Sequence, residues 1–212
     1  VGMKAFSLSK ELCPDRIPVL PGKYLGDGAD GDVYLIANSP DKVIKFVVLY
    51  EGKEDIDRLF LHRMNVLSYL QNNPHQSLAE IFSYGYLGFS YRNQIRYDSK
   101  DNEYIYKQKY ILYYYIMERL LPISEDEKKV FYSSISHRDM GDLRQEYSIM
   151  EIENAINDMA SYLVFDKSKA IDFCKNIIAL PFNHRDIHER NIMKDKSGNF
   201  KLIDFDRTSL YV

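Results

Sequence analysis

The chain has 212 residues, 45% of them apolar, which suits a packed core, excludes a disordered chain and fits one domain or two lobes about a cleft. A formal charge of -3, from 28 basic and 31 acidic side chains, supplies no overall basic field to draw nucleic acid. Cys13 and Cys174 show no metal or disulfide spacing and read as reduced thiols of a cytoplasmic compartment, and the most apolar run, YILYYYIM from Tyr110 to Met117, is too short for a membrane span.

After a lead-in punctuated by Pro14, Pro18 and Pro21, KYLGDGADGDVYLIA predicts a hairpin of two short strands around a Gly-rich turn. DKVIKFVVL predicts a third strand, with Val43, Lys45 and Val47 on one face and Ile44, Phe46 and Val48 on the other. EDIDRLFLHRMNVLSYLQNN carries a helical period through Ile56, Leu59, Phe60, Arg63, Val66, Leu67 and Leu70, closed by Asn72-Asn73-Pro74. Strands return in LAEIFSYGYL and KYILYYYIMERL, separated by a polar stretch that reads as a solvent-facing hairpin extension. From Pro122 the pattern turns helical, in SEDEKKVFYSSI, LRQEYSIMEIENAINDMASYLVF and SKAIDFCKNIIAL; the charge run Glu125 to Lys129 reads as a solvated helix face. NIMKDKSGNFKLIDF predicts a short hairpin turning at Lys196-Ser197-Gly198-Asn199. The expected architecture is a single α+β domain: a β-rich lobe over about residues 20–119 and an α-rich lobe over 120–212, joined near Glu118 to Pro122.

Four patterns carry chemistry. Gly26-x-Gly28-x-x-Gly31-x-Val33 sits between two strands, and glycine allows backbone N–H groups to approach phosphate closely. Asp27, Asp30 and Asp32 lie in that loop. On its outer face, in water, they leave it free for phosphate; turned inward they repel it. Their offsets do not fit a calcium loop. Lys45 lies within the apolar strand VIKFVV and needs an anionic partner if it points inward. HRDIHERN, His184 to Asn191, holds an Asp and an Asn that can face one reaction centre, the Asp toward a hydroxyl and the Asn toward a divalent cation. LIDFD ends an apolar strand in Asp204, a hard oxygen ligand suited to Mg²⁺.

In this order the four patterns resemble the protein kinase-like fold, over about residues 20 to 207. The resemblance implies ATP and Mg²⁺ (or Mn²⁺) as cofactors. It implies Leu25 and Val33 about adenine, Gly26, Gly28 and Gly31 over the phosphates, and Lys45 on the α- and β-phosphates. Met117 would be gatekeeper, with backbone near Glu118 and Leu120 meeting adenine. Asp186 would be the catalytic base, and Asn191 and Asp204 would hold the metal. The function implied is a minimal Ser/Thr protein kinase acting on a protein hydroxyl. Only Arg207 to Val212 follow Asp206, so the expected α lobe is reduced, without activation segment or later helices. In this it is similar to bacterial effector kinases secreted into a host cell.

Several positions depart from the kinase pattern. The helix after Lys45 has Arg63 where its acidic partner is expected, with Asp57 and Glu54 as alternatives. Asp206 replaces a Gly, and His188 replaces a Lys, as in aminoglycoside phosphotransferases; Arg190 is the candidate for the missing charge near the γ-phosphate. A small-molecule kinase and a pseudokinase interaction module are therefore the alternatives to a protein kinase. Nothing in the sequence indicates an oligomeric state.

Overall fold

The computed structural model describes residues 4–27, 31–97, 102–136 and 149–210. The protein is α+β, with an antiparallel main sheet and five α-helices among the described residues. It divides into two units, one comprising Val1–Asn72 and Ile81–Arg119, the other Asn73–Glu80 and Leu120–Val212.

In the first unit, β1 (Pro21–Asp27), β2 (Gly31–Ile36), β3 (Ser39–Tyr50), β4 (Ile81–Tyr97) and β5 (Glu103–Glu118) form a five-stranded sheet in the order β1-β2-β3-β5-β4. Strand β3 is buried on both faces, as its unbroken VIKFVVL run requires. Ile44, Phe46 and Val48 meet Leu112, Ile116 and a helix, α1 (Ala5–Leu12), whose Phe6 ring packs 4.7 Å from Tyr34 and 4.9 Å from Phe46. The opposite pleat receives α2 (Ile56–Asn72), where Phe60 stacks 5.9 Å from Tyr113. Helix α1 precedes the prolines of the lead-in and is the main addition to the sequence reading. Its first amides are satisfied from far along the chain: Asp32 accepts from Ala5 N at 3.0 Å and Phe6 N at 2.9 Å. Asp32 is 3% exposed, so it does not lie in water on the outside of the glycine loop. Asp30 lies outside the described residues.

The second unit contains β6 (Leu121–Pro122), α3 (Glu125–Phe131), α4 (Ile149–Met159), α5 (Lys167–Ile178), β7 (Phe182–Asn183), β8 (Ile192–Lys194), β9 (Phe200–Leu202) and β10 (Ser209–Leu210). Its strands form a three-stranded sheet, β6-β8-β9, and the pair β10-β7. The rings of Phe131, Phe173 and Phe200 join α3, α5 and β9 into one core. The 73–80 segment belongs here, and not with the strands around it in sequence, because Leu202 N donates to Ser77 O at 2.8 Å and Ala79 N to Leu202 O at 2.9 Å. The Glu125–Lys129 run is not uniformly solvated. Glu127 is buried, closes a capping box with Ser124 and accepts from Lys194 Nζ at 3.0 Å, fixing α3 to β8.

Candidate functional site

In the first unit, strand pairing aligns Gly26 with Val33, Val33 with Lys45, Lys45 with Tyr115 and Tyr115 with Tyr84. Antiparallel partners share a face, so Val33, Lys45 and Tyr115 form one transverse row, with Met117 two residues further along the same face opposite Val43. This is the face away from α1. Lys45 is 5% exposed, its Nζ 5.6 Å from the centre of the Tyr115 ring. Leu25 sits at the irregularity between Tyr24 and Gly26 and is exposed; Glu118 pairs with Lys42 at the end of β5.

The described glycines of the loop differ. A Cβ on Gly31 would come within 2.0 Å of Phe46 O, so β3's backbone requires that glycine. A Cβ on Gly26 would meet nothing within 4 Å among the described residues, which leaves its backbone open to a ligand there. Gly28 lies outside the described residues. Of the acids offered as partners for Lys45, Asp57 is 67% exposed and pairs with Lys109 at 2.7 Å, and Glu54 is exposed. Arg63 lies half-buried within α2.

In the second unit, the sequence HRDIHERN folds back on itself between β7 and β8. Asn191, buried, donates from Nδ2 to Asp186 O at 2.9 Å and to Asp186 Oδ2 at 3.0 Å. With Nδ2 committed to Asp186, Oδ1 of the amide faces the other way. Ile203 N donates to Asn191 O at 2.9 Å, placing Asp204 one residue beyond Asn191's partner across the β8–β9 hairpin. His184 Nε2–H donates to Ile203 O at 3.1 Å, and the ring lies edge-on 5.6 Å from Phe205. Burial pushes the His184 pKa down to about 4, so the ring is neutral near pH 7. Both backbone groups of Ile203 are thus held just before Asp204. Arg185 and Asp204 adopt left-handed conformations, at φ 59° and 62°, and Asn183 Oδ1 supports the first by accepting from Arg185 N. Such strain, about 1–3 kcal/mol per residue, gathers at functional sites.

Asp186 has two cationic or polar neighbours besides Asn191. Arg207 Nη1 lies 3.4 Å from Oδ1, and His188 Nε2 lies 3.7 Å from Oδ2 and 3.1 Å from Asn191 Nδ2. Arg190, the residue expected to bring charge here, has a side chain 86% exposed and lies 3.6 Å from Glu189 instead. Arg207 was not singled out from the sequence, because an exposed Arg after a strand carries no periodic signal. Leu120 is buried at the start of this unit.

The chemistry of the residues suits a hard divalent cation: the amide oxygen of Asn191, on the edge away from Asp186, and the carboxylate of Asp204 are both oxygen ligands of the kind Mg²⁺ takes. The open backbone at Gly26 is compatible with a phosphate chain. The structure therefore brings Val33, Lys45 and Met117 onto one sheet face of the first unit, and Asp186, Asn191 and Asp204 onto one hairpin and loop of the second. No family model matches the chain, and no curated protein matches it.

Proposed function

We propose that the protein is an ATP-dependent phosphotransferase that moves the γ-phosphate to a protein Ser or Thr hydroxyl. The observation that carries this reading is the Asp186–Asn191 pair, with the amide nitrogen on the carboxylate, the amide oxygen turned away from it, and the strained Asp204 one residue beyond Asn191's backbone partner. Asp186 orients the acceptor hydroxyl and receives its proton; Asn191 fixes the carboxylate while it does so. Arg207, within 3.4 Å of Asp186, brings positive charge to the same locus. Lys45 and the backbone at Gly26 hold the phosphates on the first unit. On the second unit, Asn191 and Asp204 would hold Mg²⁺, which would supply charge neutralisation.

A small-molecule kinase is the second reading, favoured by His188 against Asn191 where a protein kinase carries Lys. The test is incubation with γ-labelled ATP and Mg²⁺, with a generic protein acceptor or an aminoglycoside. Wild type is expected to label protein, with label falling at least about 100-fold in Asp186→Ala and Asp204→Ala. Label on the aminoglycoside alone selects the second reading. Transfer from α-labelled ATP only, or nucleotide binding without turnover, overturns both.

A further inference from the structure

Strands β4 and β5 run past the rest of the sheet as a two-stranded ribbon, paired as far as Tyr97 with Glu103. Beyond Gly88 the ribbon has two unlike faces. On one, Arg92 lies 3.8 Å over the Tyr50 ring and hydrogen-bonds Gln108, and Arg96 lies 4.1 Å over Tyr106. The other exposes Phe89, Tyr91, Ile95, Tyr97 and Ile105, each more than half accessible, with Ile95 directly opposite Ile105. The Asn93–Lys107 pair on the same face divides it into two apolar clusters, Phe89 with Tyr91 and Ile95 with Ile105 and Tyr97, of the kind proteins seldom leave uncovered.

The outer edge of β4 is also unevenly protected. Near the body of the sheet, side chains close it: Gln71 donates to Phe82 O at 2.6 Å and Arg16 to Leu87 O at 2.9 Å. From Phe89 to Tyr97 no side chain among the described residues does so, and β4 is the last strand of the sheet. An open edge beside exposed apolar clusters is a template for strand addition. Charge indicates what can add. The edge strand itself, 89–97, carries Arg92 and Arg96 and no acidic residue, in a chain whose net charge is -3. A second copy of the same edge would set these like charges together.

We propose that the edge of β4 from Phe89 to Tyr97 is a strand-addition site for an extended, acidic partner segment whose alternate apolar side chains cover Phe89, Tyr91, Ile95 and Tyr97. Main-chain hydrogen bonds supply affinity, the two apolar clusters fix register, and Arg92 with Arg96, on the opposite face of β4, selects acidic residues at the intervening positions. The site is independent of the phosphotransfer reading.

The probe is a peptide of about twelve residues alternating valine with glutamate, carried on a soluble fusion, with the lysine-for-glutamate peptide beside it. The acidic peptide is expected to slow amide exchange in residues 89–97 and to bind Asp186→Ala as tightly as wild type. Ile95→Thr with Tyr97→Thr, both at exposed positions, is expected to weaken it at least about tenfold, and Arg92→Glu with Arg96→Glu by a similar factor. Equal binding of the basic peptide, no binding, or protection confined to other strands overturns the proposal. So does a concentration-dependent dimer abolished by the Ile95/Tyr97 variant, or preference for a single-stranded RNA oligomer.

Discussion

Replacing Asp32 by Ala should unfold the first unit far more readily than replacing Asp27, although both acids belong to the same glycine-rich loop. Asp32 is 3% exposed and accepts two backbone hydrogen bonds, at 3.0 and 2.9 Å, from the first turn of α1. Hydrogen bonds to a charged acceptor each contribute about 1.5–3 kcal/mol, and truncation leaves two amides at the buried helix start without an acceptor, so Asp32→Ala is expected to cost about 3–5 kcal/mol. Asp27 is exposed, and Asp27→Ala should fall within about 0.5 kcal/mol of wild type. The chain has 18 Tyr and no Trp, so urea unfolding is best followed by far-ultraviolet circular dichroism. Amide exchange at Ala5 and Phe6 provides the local readout, and should rise in Asp32→Ala alone. Equal stability of the two variants, or loss of stability with Ala5 and Phe6 still protected, refutes the capping argument.

Two further predictions concern the second unit. Burial holds the His184 pKa near 4 against an ordinary 6.5, so the unfolded chain takes up the proton first and stability falls as pH drops through that window, by about 3 kcal/mol. His184→Gln keeps a donor for Ile203 O without titrating, so its stability relative to wild type should improve from pH 7 to pH 4; an unchanged difference refutes the assignment. Lys194→Met strands the buried Glu127 carboxylate and should cost about 3 kcal/mol, whereas Glu127→Gln, which preserves hydrogen-bonding capacity, should cost about 1 kcal/mol in the same unfolding assay. The reverse order would mean that the pair is water-screened.

What could be read from the sequence was what local periodicity encodes. The two faces of β3, the α2 stripe ending at Leu70 and the hairpin about Gly198 all follow from spacing within a few residues. What could not be read depends on partners remote in sequence. Helix α1 owes its start to an acid 27 residues later, and the 73–80 segment joins the second unit through Leu202, far along the chain. Glu127 is an intermediate case: Ser124-x-x-Glu127 is a legible capping box, but its burial depends on Lys194. At the candidate site, the Asp186–Asn191 spacing was sufficient to predict convergence. Arg207 beside Asp186 was not legible, because it reaches that loop from 21 residues further along the chain.

The glycine-rich loop shows how one motif can carry two kinds of constraint. Gly31 is required by the carbonyl of Phe46, and Asp32 by the amides of α1, so these two residues have structural reasons that owe nothing to a phosphate. Gly26 has no such reason: its missing side chain faces open space, and it stands opposite Val33 in the row that leads to Lys45. Asp32 is therefore no argument against an anionic ligand, because it is directed to the α1 face, whereas Val33 and Lys45 occupy the other face of the sheet. It follows that a substitution at Gly31 disturbs strand packing before it reports on any ligand. A substitution at Gly26 isolates the ligand-facing property, because the fold itself makes no demand for glycine there.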